Sequence, residues 1–190
     1  MLSRRQILAA AAGLTVAGPH RAIADEFGRF DGDFIGRFVG GQTAVVEKPL
    51  TFIGPDGQAW TAPAGIEVNG ASIPRALWTI VGSPFAGDYL RASVVHDHYC
   101  VTMERNWRET HLAFYNGCRA DGLSQGYASL LYAGVMRFGP RWRPGRGLTT
   151  SDGRPRRRQP EFDQREFDEL RLWLDQGDRS IEEINARLQS

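Results

Sequence analysis

The first half of the chain carries the pattern of short β-strands. Residues 44–53 are rich in β-branched and aromatic side chains, and Pro49 among them indicates a sheet edge or a bulge. A strong turn signal at 54–57 precedes residues 58–61, which return as the second arm of a hairpin. A short third strand is expected over 66–68. This pattern predicts a small antiparallel sheet.

Helical patterns replace the strand pattern from residue 72 onward. The spacing predicts helices that open at a capping residue or a proline and end near glycine or another break, namely Pro74 to Val81, Asp88 to Met103, Asn106 to Gly122 and Ser124 to Phe138. A sheet followed by consecutive helices is typical of the α+β class. We therefore expect residues 25–138 to form a single α+β domain, with a small N-terminal antiparallel β-sheet followed by a packed helical layer.

The chain after residue 138 changes composition twice. Eight arginines and one acid lie in 137–158, which predicts an Arg/Pro/Gly-rich loop over 139–160, either simply solvated or a patch for an anionic partner. Residues 161–190 carry nine acids against four arginines and contain two amphipathic helical faces. Their apolar members are Phe167, Leu170 and Leu174, then Ile181, Ile184 and Leu188. We interpret 161–190 as an acidic helical extension.

The first 24 residues have the residue pattern of an export signal peptide. Arg4 and Arg5 precede an apolar run of mostly alanine, leucine, valine and glycine, and residues 22–24 (Ala-Ile-Ala) place small residues at the positions before a cleavage site. The paired arginines favour the twin-arginine route. We therefore expect cleavage after Ala24 and a periplasmic or secreted mature protein. The apolar run is shorter than the roughly 20 residues of a membrane span.

Charge and cysteine usage narrow the class of protein. Removal of residues 1–24 takes away three arginines and no acid, which changes the net charge from +1 to −2. This balance gives no clear nucleic-acid footprint, and the mature chain carries no apolar run of membrane length. Cys100 and Cys118 fall several turns apart if the helices after 88 and 106 form an antiparallel hairpin, so we expect two free thiols.

Three short segments concentrate the residues that could carry chemistry. They are Asn69-Gly-Ala-Ser-Ile-Pro-Arg75, His96-Asp-His-Tyr-Cys100 and Arg108-Glu-Thr-His-Leu-Ala-Phe114, and together they hold three of the four histidines of the chain. Side chains two residues apart on a helix point about 200° apart, so His96 and His98 cannot share one ion without distortion. His96 can meet His111 across an antiparallel hairpin. We therefore predict a metal cluster of His96, Asp97 and His111.

These segments resemble a bacterial and phage-associated family known as domain of unknown function 1353. Its pattern reads roughly Thr-Asp-Gly-Ala-Ser-Ile-Pro-Arg, His-Asp-x-Leu-Tyr and Arg-x-x-x-Asp-x-x-Phe, and the resemblance covers about residues 50–138. The matching positions here are Ala71, Ser72, Pro74, Arg75, His96, Asp97, Arg108 and Phe114.

Three positions depart from the family pattern. Asn69 and His111 replace aspartates, and Cys100 replaces a tyrosine. The loss of two carboxylates and the gain of an imidazole favour nitrogen ligation, which suits Zn²⁺ better than Mg²⁺. The family itself implies no settled activity.

Two functions remain open from the sequence. The leading hypothesis is a metal-assisted hydrolase of the cell envelope, in which His96 and Asp97 form the catalytic centre, Asn69 or Ser72 enters from the loop, and Arg75 or Arg108 holds an anionic ligand or cell-wall component. The rival is a non-catalytic binding or assembly module in which the His-Asp-Arg network is structural.

Other enzyme classes fit the sequence less well. The His-Asp phosphohydrolases need an upstream histidine, and the only one is His20, in the predicted signal. Ser72 lacks the Gly-x-Ser-x-Gly context of a serine hydrolase. A nucleophilic pair of Cys100 with a histidine has no surrounding signature.

Overall fold

The strands come first in the chain and the helices follow. A computed structural model describes residues 26–40, 43–70, 72–73, 78, 87–143 and 157–189. Within these residues the strands are β1 (Arg29–Asp31), β2 (Gly36–Gly40), β3 (Thr43–Val46), β4 (Leu50–Ile53), β5 (Ala59–Ala62) and β6 (Glu67–Val68). The helices are α1 (Leu90–Thr102), α2 (Trp107–Ala120), α3 (Gln125–Phe138), α4 (Gln164–Leu174) and α5 (Ile181–Arg187). The α+β prediction is confirmed.

The strands form two small antiparallel sheets, where the sequence pattern predicted one. Their orders are β1-β4-β5 and β2-β3-β6. The predicted strand over 44–53 is divided, because the chain leaves one sheet after Val46 and enters the other at Leu50, with Pro49 between them. The strands β1 and β2 lie before the segment in which strands were predicted.

One face of each sheet packs on the helices. Alternate residues of β3, β4 and β5 are buried, as the two-residue period of a half-buried strand requires. They join a single apolar cluster with Val94, Val95 and Tyr99 of α1 and Ala113 of α2. The sheets therefore support the helix pair that carries the predicted chemistry.

Several predicted helix starts are confirmed by their caps. The Asn106 side chain accepts a hydrogen bond from the backbone of Arg108, and Ser124 caps α3. The prediction that Asp88 caps α1 is wrong. Tyr89 occupies the N-cap position and makes no side-chain cap, since the turn at Gly87 (φ 81°) delays the helix start. Of the helix predicted from Pro74 to Val81, only Trp78 lies within the described residues.

A close antiparallel packing of α1 and α2 sets the register of the hairpin. A Cβ atom on Gly117 would lie 3.1 Å from the Cβ of Ala92, so the missing side chain lets the two helices approach. One turn along, His96 lies against Phe114 with 4.6 Å between ring centroids. This register brings His96 within reach of His111, as the sequence predicted. Met103, in the left-handed conformation (φ 55°), ends α1.

The C-terminal helices belong to the same core as α2 and α3. Phe167, Leu170 and Ile184 are buried in the apolar cluster of the helical layer, and the other predicted apolar positions of α4 and α5 pack against it. A capping box of Ser180 with Glu183 begins α5. Among the described residues, we find no helix with the length and apolar character of a membrane span.

Candidate functional site

His96 and His111 meet inside the α1–α2 hairpin, as their register predicted. Nε2 of His96 lies 2.8 Å from Nδ1 of His111, and both side chains are buried. Nε2 of His111 lies 3.2 Å from the carbonyl oxygen of Pro140. Because a carbonyl only accepts, Nε2 of His111 donates to it, which leaves Nδ1 to accept the proton of His96. The lone pair of His111 Nδ1 therefore points into the hairpin.

Cys100 completes a compact set of three ligand atoms. Its Sγ lies 3.5 Å from His96 Nε2, one helical turn further along α1. One nitrogen from each imidazole and the sulfur all lie within 4.8 Å of one another, and all three residues are buried. We call His96, Cys100 and His111 the imidazole–thiol centre.

Aromatic rings enclose the imidazole–thiol centre and keep it apolar. Phe114 packs on His96, while Trp107 and Trp142 lie edge-on to His111 with centroid distances of 5.5 and 6.2 Å. Such surroundings disfavour charge on any enclosed group. The centre is therefore built to hold neutral side chains.

The protonation states follow from this burial. Burial, assisted by the positive charge of Arg157, lowers the pKa of His96 from 6.5 to about 3. Burial and then His96 hold the pKa of His111 well below its ordinary value, against the opposing hydrogen bond to Pro140. Burial raises the pKa of the Cys100 thiol. At neutral pH the centre thus presents two neutral imidazoles and a protonated thiol.

Asp97 faces a different part of the molecule. Its Oδ2 accepts the backbone N–H groups of Asn69 (2.8 Å) and Gly70 (3.2 Å). Its Oδ1 accepts the hydroxyl of Ser72 (2.7 Å) and the backbone N–H of the same residue (3.4 Å). We call this set of contacts the Asp97 anchor. It holds the 69–72 segment on α1 and places Ser72 beside the Cys100 thiol.

The remaining predicted site residues lie at several places. Arg108 is exposed and stacks on Trp107, 4.3 Å from the ring centroid. Asn69 and Ser72 reach the Asp97 anchor rather than the two imidazoles. Arg75 lies outside the described residues. His98 is half-buried and is not a member of the imidazole–thiol centre, as its angle on the helix predicted.

Sequence reasoning missed three groups at the centre. Cys100 follows His96 by four residues, and that spacing alone places both on one helical face. The Pro140 carbonyl had no comparable signal, because it comes from a segment 29 residues after His111. Arg157 was also missed. It donates to the backbone oxygen of Cys100 across 3.3 Å.

Comparison with known proteins places the central segment of the chain in a protein family. Residues 44–135 match the family described as "Protein of unknown function (DUF1353)". This segment is a member of that family. It contains the three residues of the imidazole–thiol centre and the Asp97 anchor, whereas Pro140, Arg141 and Arg157 follow it. The family carries no established activity, so a function has to be argued from the geometry.

Two relatives are likewise uncharacterised. The chain is 39% identical over 122 residues to uncharacterized protein y4jT of Sinorhizobium fredii (strain NBRC 101917 / NGR234), covering 63% of this chain and 36% of that protein. It is 40% identical over 98 residues to uncharacterized protein y4iH of the same strain, covering 52% of this chain and 41% of that protein. The chain therefore spans well under half the length of either relative. No solved structure matches.

Proposed function

We propose that this protein binds Zn²⁺ through His96, Cys100 and His111 and acts as a metal-assisted hydrolase in the cell envelope. The observation that carries the proposal is the convergence of two imidazole nitrogens and one thiol within 4.8 Å inside the α1–α2 hairpin. Relative to the cluster predicted from sequence, this set has Cys100 in the place of Asp97. The change replaces an oxygen donor by a sulfur donor.

The chemistry of the donor set supports zinc. Zn²⁺ in proteins is held by cysteine sulfur and histidine nitrogen, typically in tetrahedral geometry. The lowered pKa values keep both imidazoles neutral at pH 7, as ligation requires. His111 donates its other ring N–H to a backbone carbonyl, which is the usual way in which a ligating histidine is oriented. A bound divalent ion would deprotonate the Cys100 thiol.

The number of donors supports a hydrolytic role. Three protein ligands leave one tetrahedral position for water, which is the arrangement of catalytic rather than structural zinc sites. Zinc lowers the pKa of a bound water to about 7 and so supplies a nucleophile at neutral pH. Within the chain, Ser72 lies beside the Cys100 thiol.

A non-catalytic module is the second candidate, and the enclosure of the centre favours it. The three side chains of the centre are buried, and the cavity that adjoins His96 measures only about 10 Å³, the size of a single water. Asp97 is fully engaged by backbone and hydroxyl donors. Under this alternative the whole network fixes the packing of the hairpin and of the 69–72 segment.

Metal content separates the two candidates. We expect the purified mature protein to contain one Zn²⁺ per chain by elemental analysis. His96→Ala and His111→Ala should each abolish it, because each removes one of three donors. His98→Ala is the matched control, being a histidine of the same helix outside the centre, and should retain the ion. Protein that is isolated metal-free and takes up no Zn²⁺ on titration would refute the metal proposal and leave the structural one.

Hydrolysis is tested separately on the zinc-loaded protein. Location makes the cell wall the nearest substrate, so we expect release of soluble fragments from purified peptidoglycan. The release should stop on chelation and in His111→Ala. A zinc-loaded protein that releases nothing would contradict the hydrolase role on this substrate and would favour the binding module.

We propose the envelope location because residues 1–24 have the pattern of an export signal peptide. We expect the mature chain to begin at Asp25, and replacement of Arg4 and Arg5 by lysine to retain the protein in the cytoplasm. N-terminal sequencing and cell fractionation measure both outcomes. Normal export of the Lys-Lys variant would contradict the twin-arginine route.

A further inference from the structure

Three arginines converge beside the imidazole–thiol centre. The guanidinium carbons of Arg108 and Arg141 lie 4.3 and 5.2 Å from the ring centroid of Trp107, so both pack on one indole. The backbone of Arg141 pairs with that of Arg158 through two hydrogen bonds of 2.6 and 2.8 Å. Residues far apart in sequence thus bring their positive charges to one place.

No carboxylate neutralises this cluster within the residues that the structure describes. Arg108, Arg141 and Arg158 form no ion pair there, whereas their neighbour Arg137 pairs with Glu166. Nε of Arg141 is buried without a hydrogen-bond partner, although its Nη2 donates to the carbonyls of Met136 and Arg137. Burial and then the charges of the other arginines lower the pKa of Arg141. The cluster therefore has a hydrogen-bond donor without an acceptor and a positive electrostatic potential.

We infer that Arg108, Arg141 and Arg158 form a binding site for the phosphate group of a small soluble ligand. Guanidinium groups match the oxygens of phosphate with paired, charge-assisted hydrogen bonds. Arg108 and Arg158 are exposed and accessible to an anion, while Arg141 is held at the end of α3 by the carbonyls of Met136 and Arg137. The indole of Trp107 holds two of the three groups in place.

The surroundings favour a small ligand over a polyanion. Residues 161–190, which form α4 and α5 beside α3, carry nine acids against four arginines. An extended nucleic acid or an anionic membrane would meet this negative surface next to the cluster and be repelled. A single phosphate group engages the three arginines alone.

The site adjoins the imidazole–thiol centre without depending on it. Trp107 packs against His111, and Arg141 directly follows the residue whose carbonyl orients that histidine. A phosphate held here would bring its ligand toward the same wall of the hairpin. The inference concerns the arginines only, so it can hold whether or not the centre binds zinc.

Calorimetric titration with inorganic phosphate, in the presence of a chelator, tests the site. We expect saturable binding that weakens about tenfold in Arg108→Gln and in Arg158→Gln, the usual loss for one charge-assisted hydrogen bond. Arg165→Gln is the matched control, because Arg165 is an exposed arginine of α4 paired with Glu169. It should bind phosphate as the unsubstituted protein does.

Three outcomes would overturn the inference. They are the absence of binding at millimolar phosphate, an equal loss in the Arg165→Gln control, and binding to vesicles containing phosphatidic acid without binding to free phosphate. Far-UV circular dichroism of each variant establishes that it is folded. Because a chelator is present throughout, phosphate attached to a metal cannot imitate the result.

Discussion

The imidazole–thiol centre and the Asp97 anchor begin at adjacent residues of α1 and differ in almost every physical respect. His96 turns toward α2, where aromatic rings surround two neutral imidazoles and a thiol. Asp97 turns toward the 69–72 segment, where four donors saturate its carboxylate. A fully satisfied carboxylate has little capacity left for an ion, whereas the two facing imidazole nitrogens are neutral and can exchange their mutual hydrogen bond for an ion once His96 carries its proton on Nδ1. From this difference we propose a structural role for Asp97 and a chemical role for His96.

The largest effect should come from removing the Asp97 anchor. Asp97→Ala leaves the buried donors of Gly70 and Ser72, and the partly buried backbone N–H of Asn69, without an acceptor. We therefore expect a loss of about 3–5 kcal/mol in the free energy of unfolding. Chemical denaturation measures it. If the anchor is structural, the variant that remains folded should still bind one Zn²⁺.

Asp56→Ala provides the control for that experiment. Among the residues that the structure describes, its carboxylate accepts only an exposed local hydrogen bond from Gln58, so its loss should cost far less. Loss of zinc from folded Asp97→Ala, with stability unchanged, would reverse the roles that we assign to the two neighbours.

The acid response of the metal-free protein should report the centre. The unfolded chain protonates its histidines near pH 6.5, whereas folded His96 resists protonation until about pH 3. The unfolded state therefore binds more protons in this window, and stability falls as pH is lowered through it. Between pH 6.5 and 5.5 we expect a loss of about 1 kcal/mol for each buried imidazole.

A variant sharpens this pH test. His96→Gln removes one imidazole that is neutral in the fold, so its stability should fall less steeply over the same interval. Denaturation series at several pH values measure both proteins. Identical slopes would show that His96 is not held neutral, which would contradict the apolar character of the centre.

The smallest expected effect concerns the two cysteines, which lie too far apart to form a disulfide. Cys100 packs with Met103 and Trp142, whereas Cys118 lies in the cluster of the helical layer, and both are free and buried. We expect alkylation to label two thiols under denaturing, non-reducing conditions and to be slow in the native metal-free protein. A mass two units below the reduced value would reveal a disulfide and contradict the hairpin register.

The features that the sequence predicted correctly are those that depend on local residue periodicity and residue type. The contact of His96 with His111 followed from two adjacent helices and a short connection, and the caps at Asn106 and Ser124 followed from residue type. The strands β1 and β2 escaped prediction, since one has three residues and the other begins and ends with glycine. Such strands are defined by pairing with β4 and β3, which a local pattern does not contain.

The assignment of Asp97 shows the same limit within the candidate site. Its residue type suggested a ligand, but its environment is set by backbone N–H groups some 25–28 residues earlier in the chain. Cys100 was available to local reasoning, because a four-residue spacing places it near His96. The Pro140 carbonyl and Arg157 were not, since both reach the centre only through tertiary folding.

X-ray absorption spectroscopy of the zinc-loaded protein tests the central claim most directly. Zn–S and Zn–N distances differ, at about 2.3 and 2.0–2.1 Å, so the spectrum distinguishes a sulfur donor from nitrogen and oxygen donors. We predict one sulfur and two histidine nitrogens, with the sulfur contribution lost in Cys100→Ser and kept in Asp97→Asn. A shell of nitrogen and oxygen without sulfur, altered by Asp97→Asn, would contradict the account and make Asp97 the third ligand.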